Sequence, residues 1–154
     1  MNDQYSTHKR SSREAIILLI EDNPDDFLII KRVLFDCMPK VKLVVATTAE
    51  EALHQLSQDN QIHKRIPRLI LLDLYLPKRT NGLDLLKQIK GSTSPYRLIP
   101  VAVLSHSELP EDVRMSYDLG TNSYIVKPVN YDQWRAYFQS LRQYWWDTVT
   151  LPLP

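Results

Sequence analysis

The chain has 154 residues, 44% of them hydrophobic and 24% charged, enough for one domain with a core of its own. Lys and Arg number 19 against 18 Asp and Glu, a formal net charge of +1, so no cationic excess favours a nucleic acid partner. One cysteine, Cys37, excludes an internal disulfide and a cysteine-built zinc site, no apolar run approaches the roughly 20 residues that cross a bilayer, and the expected location is the cytoplasm.

Residues 1 to 13 are polar and charged, with too little apolar content to offset ordering, and read as a flexible arm. Ala15 to Ile20 is apolar at every position, as in a strand covered on both faces of a parallel sheet. After the acidic turn Glu21 to Asp25, the residues Phe27, Ile30, Val33, Leu34 and Cys37 recur at helical spacing until Pro39, and Asp25 is a candidate helix cap. Val41 to Ala46 reads as a second strand, and Thr48-Ala-Glu-Glu51 has the form of a capping box opening a helix through Ala52, Leu53 and Leu56. A polar connector, Asp59 to Pro67, leads to a third strand at Leu69 to Asp73. A helix over Leu83 to Ile89 and a fourth strand at Val101 to Leu104 follow. Pro110 opens a helix that Gly120 stops, and Ser123 to Val126 is a fifth strand. Tyr131, Trp134, Phe138, Leu141 and Trp145 form the stripe of a last helix. Strands alternating with helices need right-handed crossovers, so the fold class is doubly wound α/β, a parallel sheet with helices on both faces.

In such sheets ligands bind beyond the carboxyl ends of the strands. The first strand here ends in Glu21-Asp22, the third in Asp73, the fourth in Ser105 and the fifth in Lys127-Pro128. Carboxylates about 4 Å apart repel by about 4 kcal/mol per pair at an effective dielectric near 20, so a cation belongs among them. Oxygen donors without nearby Cys favour a hard ion such as Mg²⁺. His8, His54, His63 and His106 show no ligand spacing, although His106 lies in a loop beside Ser105. Metal, lysine and hydroxyl together suit phosphoryl transfer onto a carboxylate.

The segments LLIEDNPDD (18 to 26), LILLDLYLPKRTNG (69 to 82), PVAVLSHS (100 to 107) and NSYIVKPV (122 to 129), in that order, resemble a two-component response-regulator receiver domain over about residues 15 to 144. The resemblance implies a flavodoxin-like five-stranded sheet of order 2-1-3-4-5. It implies Asp73 as phosphoacceptor, with Mg²⁺ held by Asp22, Asp73, the carbonyl of Tyr75 and, through water, Glu21. Ser105 would be the switch hydroxyl, Tyr124 the switch aromatic and Lys127 the phosphoryl contact, with a cis bond before Pro128. The 73 to 82 segment, which reads as a loop, is one residue longer than the commonest receiver spacing, with Arg79-Thr80-Asn81 where Met-Asp or similar is usual. LLDLYLPK, SYDLGTNSYIVKPV and the tail YWWDTVTLPLP further resemble stand-alone regulators that partner phytochrome-type histidine kinases, a subclass implied to dimerise.

The expected organisation is an arm (1 to 13), a receiver domain (14 to 146) and a tail (147 to 154). The ten residues after Tyr144 leave no room for an output domain. The expected role is therefore a phosphorylated regulator, not an enzyme, that signals by protein contact. Two rival readings are a pseudo-receiver serving only as an interaction module and an aspartyl-nucleophile phosphohydrolase. The second would need an acid where Tyr75 stands. Tyr137, Tyr144 and Trp146 fall off the inward stripe, which points to a homodimer through the C-terminal helix, with the tail reaching over the partner or folding back over its own rings.

Overall fold

A computed structural model describes residues 15–62 and 66–152; the expected arm at 1 to 13 lies outside the described residues. Strands β1 (Ile16–Ile20), β2 (Lys42–Ala46), β3 (Leu69–Leu72), β4 (Val101–Ser105) and β5 (Ser123–Val126) alternate with helices α1 (Pro24–Cys37), α2 (Ala49–Ile62), α3 (Arg79–Lys90), α4 (Pro110–Asp118) and α5 (Tyr131–Arg142). The strands form one parallel sheet in the order β2-β1-β3-β4-β5. β1, β3 and β4 are buried along their whole lengths, as their unbroken apolar runs require. Side chains alternate between faces. Leu18, Ile20, Ile70, Leu72, Val101 and Val103 meet α2 and α3, while Ile17, Leu19, Leu69, Leu71, Ala102 and Leu104 meet α1 and α5. Among the described residues no helix is long and apolar enough to cross a membrane.

Several local expectations are corrected. Asn23, not Asp25, caps α1, its Oδ1 accepting from the backbone N–H of Asp25 (2.9 Å) and Asp26 (3.2 Å). A cap must precede the helix, and Pro24 already occupies its first position. At α2 the Thr48 hydroxyl accepts from the Glu51 N–H as expected, but Glu51 reaches back to Thr47. α2 continues to Ile62, beyond the start of the expected connector, because polar composition without Gly or Pro does not stop a helix. Residues 79 to 82, expected in a loop, are the first turn of α3, closed by Asn81, whose side chain accepts from the Lys78 N–H at 3.1 Å. The cis peptide bond among the described residues is Leu76–Pro77, and Lys127–Pro128 is trans. The preference between the two isomers before proline is small, so the local sequence does not assign it.

Gly82 sits where α3 presses on the loop after β3. Its N–H donates to the Leu74 carbonyl at 3.0 Å, and a Cβ built there would lie 2.0 Å from that oxygen. Gly82→Ala should therefore displace α3 from the site loop and cost about 2–3 kcal/mol of stability, read from urea unfolding. A loss below 0.5 kcal/mol would show that the backbone yields there. Gly120, at φ +101°, makes the reversal after α4 as expected.

The last helix keeps its predicted stripe, with Trp134, Phe138, Leu141 and Trp145 buried. What the periodicity did not show is a change to π-helical geometry over Gln143–Thr148, where the Val149 N–H reaches five residues back to the Tyr144 carbonyl. Arg68 secures this segment. Its Nε and Nη2 donate to the Trp145 carbonyl at 3.1 and 3.0 Å, and its guanidinium stands 5.4 Å from the Trp146 ring centre. Trp146, Val149 and Leu151 pack on the α1 and α5 side of this same chain, so the tail folds back as far as Leu151 and Trp146 is not a free surface ring.

Candidate phosphoryl-transfer site

Parallel pairing carries four strand ends to one edge of the sheet. The Asp73 N–H donates to the Ile20 carbonyl at 3.0 Å and the Lys127 N–H to the Ser105 carbonyl at 2.8 Å, so each functional side chain leaves the sheet at the same level. One carboxylate oxygen each from Glu21, Asp22 and Asp73 lies within 4.8 Å of the others. Lys127, with 0% of its side chain exposed, reaches into this group and donates to Glu21 Oε2 at 2.7 Å and Asp73 Oδ2 at 3.0 Å. The second oxygen of Glu21 accepts from the Asn23 N–H at 3.0 Å, and Asp73 Oδ1 accepts from the Tyr75 N–H at 3.1 Å.

The charge balance is uneven. Burial and the neighbouring Asp73 carboxylate push Glu21 up to about 7, against the pull of Lys127. Burial alone would discharge Lys127, yet Asp73, Asp26 and Glu21 hold its ammonium well above the usual lysine value. Three all-oxygen donors with an excess of negative charge suit a hard divalent cation, so the residues present fit one.

Ser105 is fully buried, its Oγ accepts from the Ser107 N–H at 3.2 Å, and its hydroxyl also hydrogen-bonds the Tyr124 phenol. Tyr124, half-buried on the edge strand, is turned toward the β4–α4 loop and donates to the Ser107 carbonyl at 2.7 Å. Ser105, Lys127, Glu21, Asp22 and Asp73 thus converge as the sequence suggested. The Tyr75 phenol points elsewhere, donating to Asp112 Oδ2 at 3.0 Å.

Two groups at or near the site escaped the sequence reading. Asp26 Oδ2 accepts from Lys127 Nζ at 2.7 Å and lies 3.0 Å from His106 Nε2. Asp112, buried on α4, accepts from Tyr75, from Ser107 Oγ at 2.5 Å and from Arg79 Nε, tying the β3–α3 loop to the β4–α4 loop. A signal was present for both. Asp26 occupies the buried stripe of α1 one turn before Ile30, and Asp112 precedes Ser116 on the buried face of α4. A carboxylate on an inward face needs a partner. Arg79, in the segment that is one residue longer than the commonest receiver spacing, is that partner for Asp112.

Comparison with known proteins agrees with this geometry. Residues 17–139 match the response regulator receiver domain family. Response regulator Rcp1 of Synechocystis is 35% identical over 143 residues, covering 92% of this chain and 96% of Rcp1. Among solved structures, the phosphorylated cyanobacterial phytochrome response regulator RcpA superposes with a TM-score of 0.79 at 35% identity, covering 91% of this chain and 99% of RcpA. The Mn²⁺-bound form of Rcp1 gives 0.76 at 34%, covering 90% and 99%. With strand order, acidic cluster and buried lysine all in place, the chain belongs to the response regulator receiver family.

Proposed function

We propose that this receiver takes a phosphoryl group onto Asp73 from a histidine kinase of the phytochrome type and signals by protein contact, as a regulator and not as a turnover enzyme. The observation that carries the reading is Lys127 Nζ at 3.0 Å from Asp73 Oδ2, beside three carboxylates clustered within 4.8 Å. The likeness to Rcp1 and RcpA supports the choice of kinase. In the transfer, an Asp73 oxygen attacks phosphorus and a new P–O bond forms. The bond from phosphorus to the donor imidazole nitrogen breaks, and its electron pair stays on that nitrogen. Lys127 stabilises the charge on the moving oxygens, and the Ser105 hydroxyl can turn from Tyr124 to hydrogen-bond one of them once transfer is complete. Mg²⁺ would be held by Asp22, Asp73, the Tyr75 carbonyl and, through water, Glu21, and when bound it offsets charge on the transferring group.

Acetyl phosphate with Mg²⁺ should yield an acid-stable, base-labile and hydroxylamine-sensitive adduct that maps to Asp73 by peptide mass spectrometry. An adduct elsewhere, or none, defeats the reading. Asp22→Ala should weaken Mg²⁺ binding at least tenfold by calorimetry, since one of few direct oxygens is lost. Unchanged affinity would remove Asp22 from the ion's ligands.

Residues 14 to 146 are taken as the receiver unit and 147 to 154 as its tail, and pairing of two copies is assigned to the outward side of α5 and the π-helical segment. Tyr137 and Tyr144 are 41% and 53% exposed there. Aromatic anchors of this kind are enriched at interfaces. Tyr137→Ser with Tyr144→Ser should shift a sedimenting dimer to monomer at micromolar concentration while the circular dichroism spectrum is kept. A wild type that is monomeric with and without phosphorylation ends the dimer reading.

A further inference from the structure

Lys127 has a partner that the transfer itself does not use. Asp26, the third residue of α1, accepts from Lys127 Nζ at 2.7 Å, as close as Glu21 and closer than Asp73. An ammonium has three N–H donors, and these three carboxylates use them all. A phosphoryl oxygen arriving beside Asp73 therefore needs one of the three contacts to open. Glu21 belongs to the carboxylate cluster that would hold the cation, and Asp73 becomes the acyl phosphate. Asp26 lies outside that cluster. It also has a second hydrogen-bond neighbour, His106, whose Nε2 stands 3.0 Å from the same oxygen and whose side chain is 66% exposed. The contact to Asp26 can open without leaving a buried charge alone, and opening either of the others cannot. Burial would raise the Asp26 carboxyl, but Lys127 and His106 outweigh it and hold the group below the usual range, so it is a full negative charge facing any incoming anion.

We propose that Asp26 is a positioning residue that clamps Lys127 in the resting receiver. The lysine leaves Asp26 for the phosphoryl group on Asp73, and Asp26 then keeps the His106 ring as its partner. The proposal rests on Asp73 being the acceptor. It predicts that removing this buried acid speeds the reaction, the opposite of what a structural or ligand role would give. Asp26 competes for the lysine and repels the donor, and asparagine at position 26 does neither with a full charge.

Phosphorylation by acetyl phosphate in Mg²⁺ would be followed by intact-protein mass spectrometry for wild type, Asp26→Asn, His106→Ala and the double variant, with Mg²⁺ affinity measured by calorimetry. Asp26→Asn is expected to label Asp73 about tenfold faster, the scale of one hydrogen bond to a charged group. Its Mg²⁺ affinity should change less than about fivefold. His106→Ala should label about threefold slower, because Asp26 then holds Lys127 alone, and the double variant should match Asp26→Asn. Asp26→Asn labelling at the wild-type rate or slower, or losing more than that Mg²⁺ affinity, overturns the clamp while Asp73 labelling stands. A His106→Ala effect that persists in the double variant overturns the exchange of partners. If Asp26→Asn does not fold, His106→Ala decides, since its side chain is at the surface, and an unslowed rate overturns the proposal. No label at Asp73 in wild type removes the acceptor reading and the clamp together, an outcome distinct from the others.

Discussion

Asp73→Asn should abolish Mg²⁺-dependent labelling and, in Mg²⁺-free buffer near pH 8, make the fold more stable by about 1 kcal/mol. The loss follows from chemistry, because an amide has no carboxylate oxygen to attack phosphorus. The gain follows from crowding. Asp73 is one of the causes that raise Glu21 to about 7, well above its ordinary 4.5. A carboxyl raised in the folded state contributes stability fully below its unfolded value and loses it as pH climbs through its folded value. At pH 8 that loss is complete in the wild type, and it is smaller once position 73 is neutral. Lys127 retains Glu21 and Asp26, so the lysine is not stranded. Urea unfolding at pH 8 and pH 5 should show a gain that shrinks at the lower pH, where the wild-type Glu21 is protonated and its repulsion with Asp73 is already relieved. A variant that labels like the wild type would take Asp73 out of the chemistry, and a gain independent of pH would put its origin outside Glu21.

The parts of this site legible in the sequence are those that interrupt a pattern. Asp73 ends an apolar strand and Lys127 follows another, so each stands out against residues that must be buried. Burial on both faces follows from the same runs, whereas the strand order was implied by the resemblance of the motifs to receiver domains. Asp26 and Asp112 were obscured because they sit on helices among other polar residues, where an acid in the first turn has an ordinary explanation in the helix dipole. Only the stripe to which each belongs distinguishes a buried carboxylate from a solvated one. The start of α3 was missed for a similar reason. Lys78 to Gly82 carries no apolar periodicity, and its helical turn depends on the Asn81 side chain and on contact between Gly82 and Leu74, neither of which is a property of local composition. The π-helical end of the chain is held by Arg68, 77 residues away from Trp145 in sequence. No window of sequence contains that contact.

Lys127→Met should have the largest effect on folding, a loss of about 3–5 kcal/mol near pH 8 without divalent ions. Methionine keeps the length of the stem, so the change isolates the charge. With the ammonium gone, Glu21 and Asp73 have no cationic side chain in contact among those that bond them in the wild type, and Asp26 keeps only His106. The same lysine is what lowers Glu21 against burial and Asp73. Removing it moves Glu21 further up, and protonation there becomes the easier way to relieve the cluster. Stability of the variant should therefore recover as pH falls from 8 toward 6, through a range in which an unfolded glutamate stays ionised. Mg²⁺ should also restore part of it, since an ion that binds only the folded cluster stabilises by mass action. Phosphorylation should remain slow even where the fold is restored, because neither a proton on Glu21 nor the ion supplies the N–H donor that Lys127 brings to the moving phosphoryl oxygens. Unfolding curves at pH 6 and 8, with and without Mg²⁺, separate the contributions. A deficit equal at both pH values and indifferent to Mg²⁺ would mean that Lys127 stabilises through packing of its stem, and the charge account of this site would fail with it.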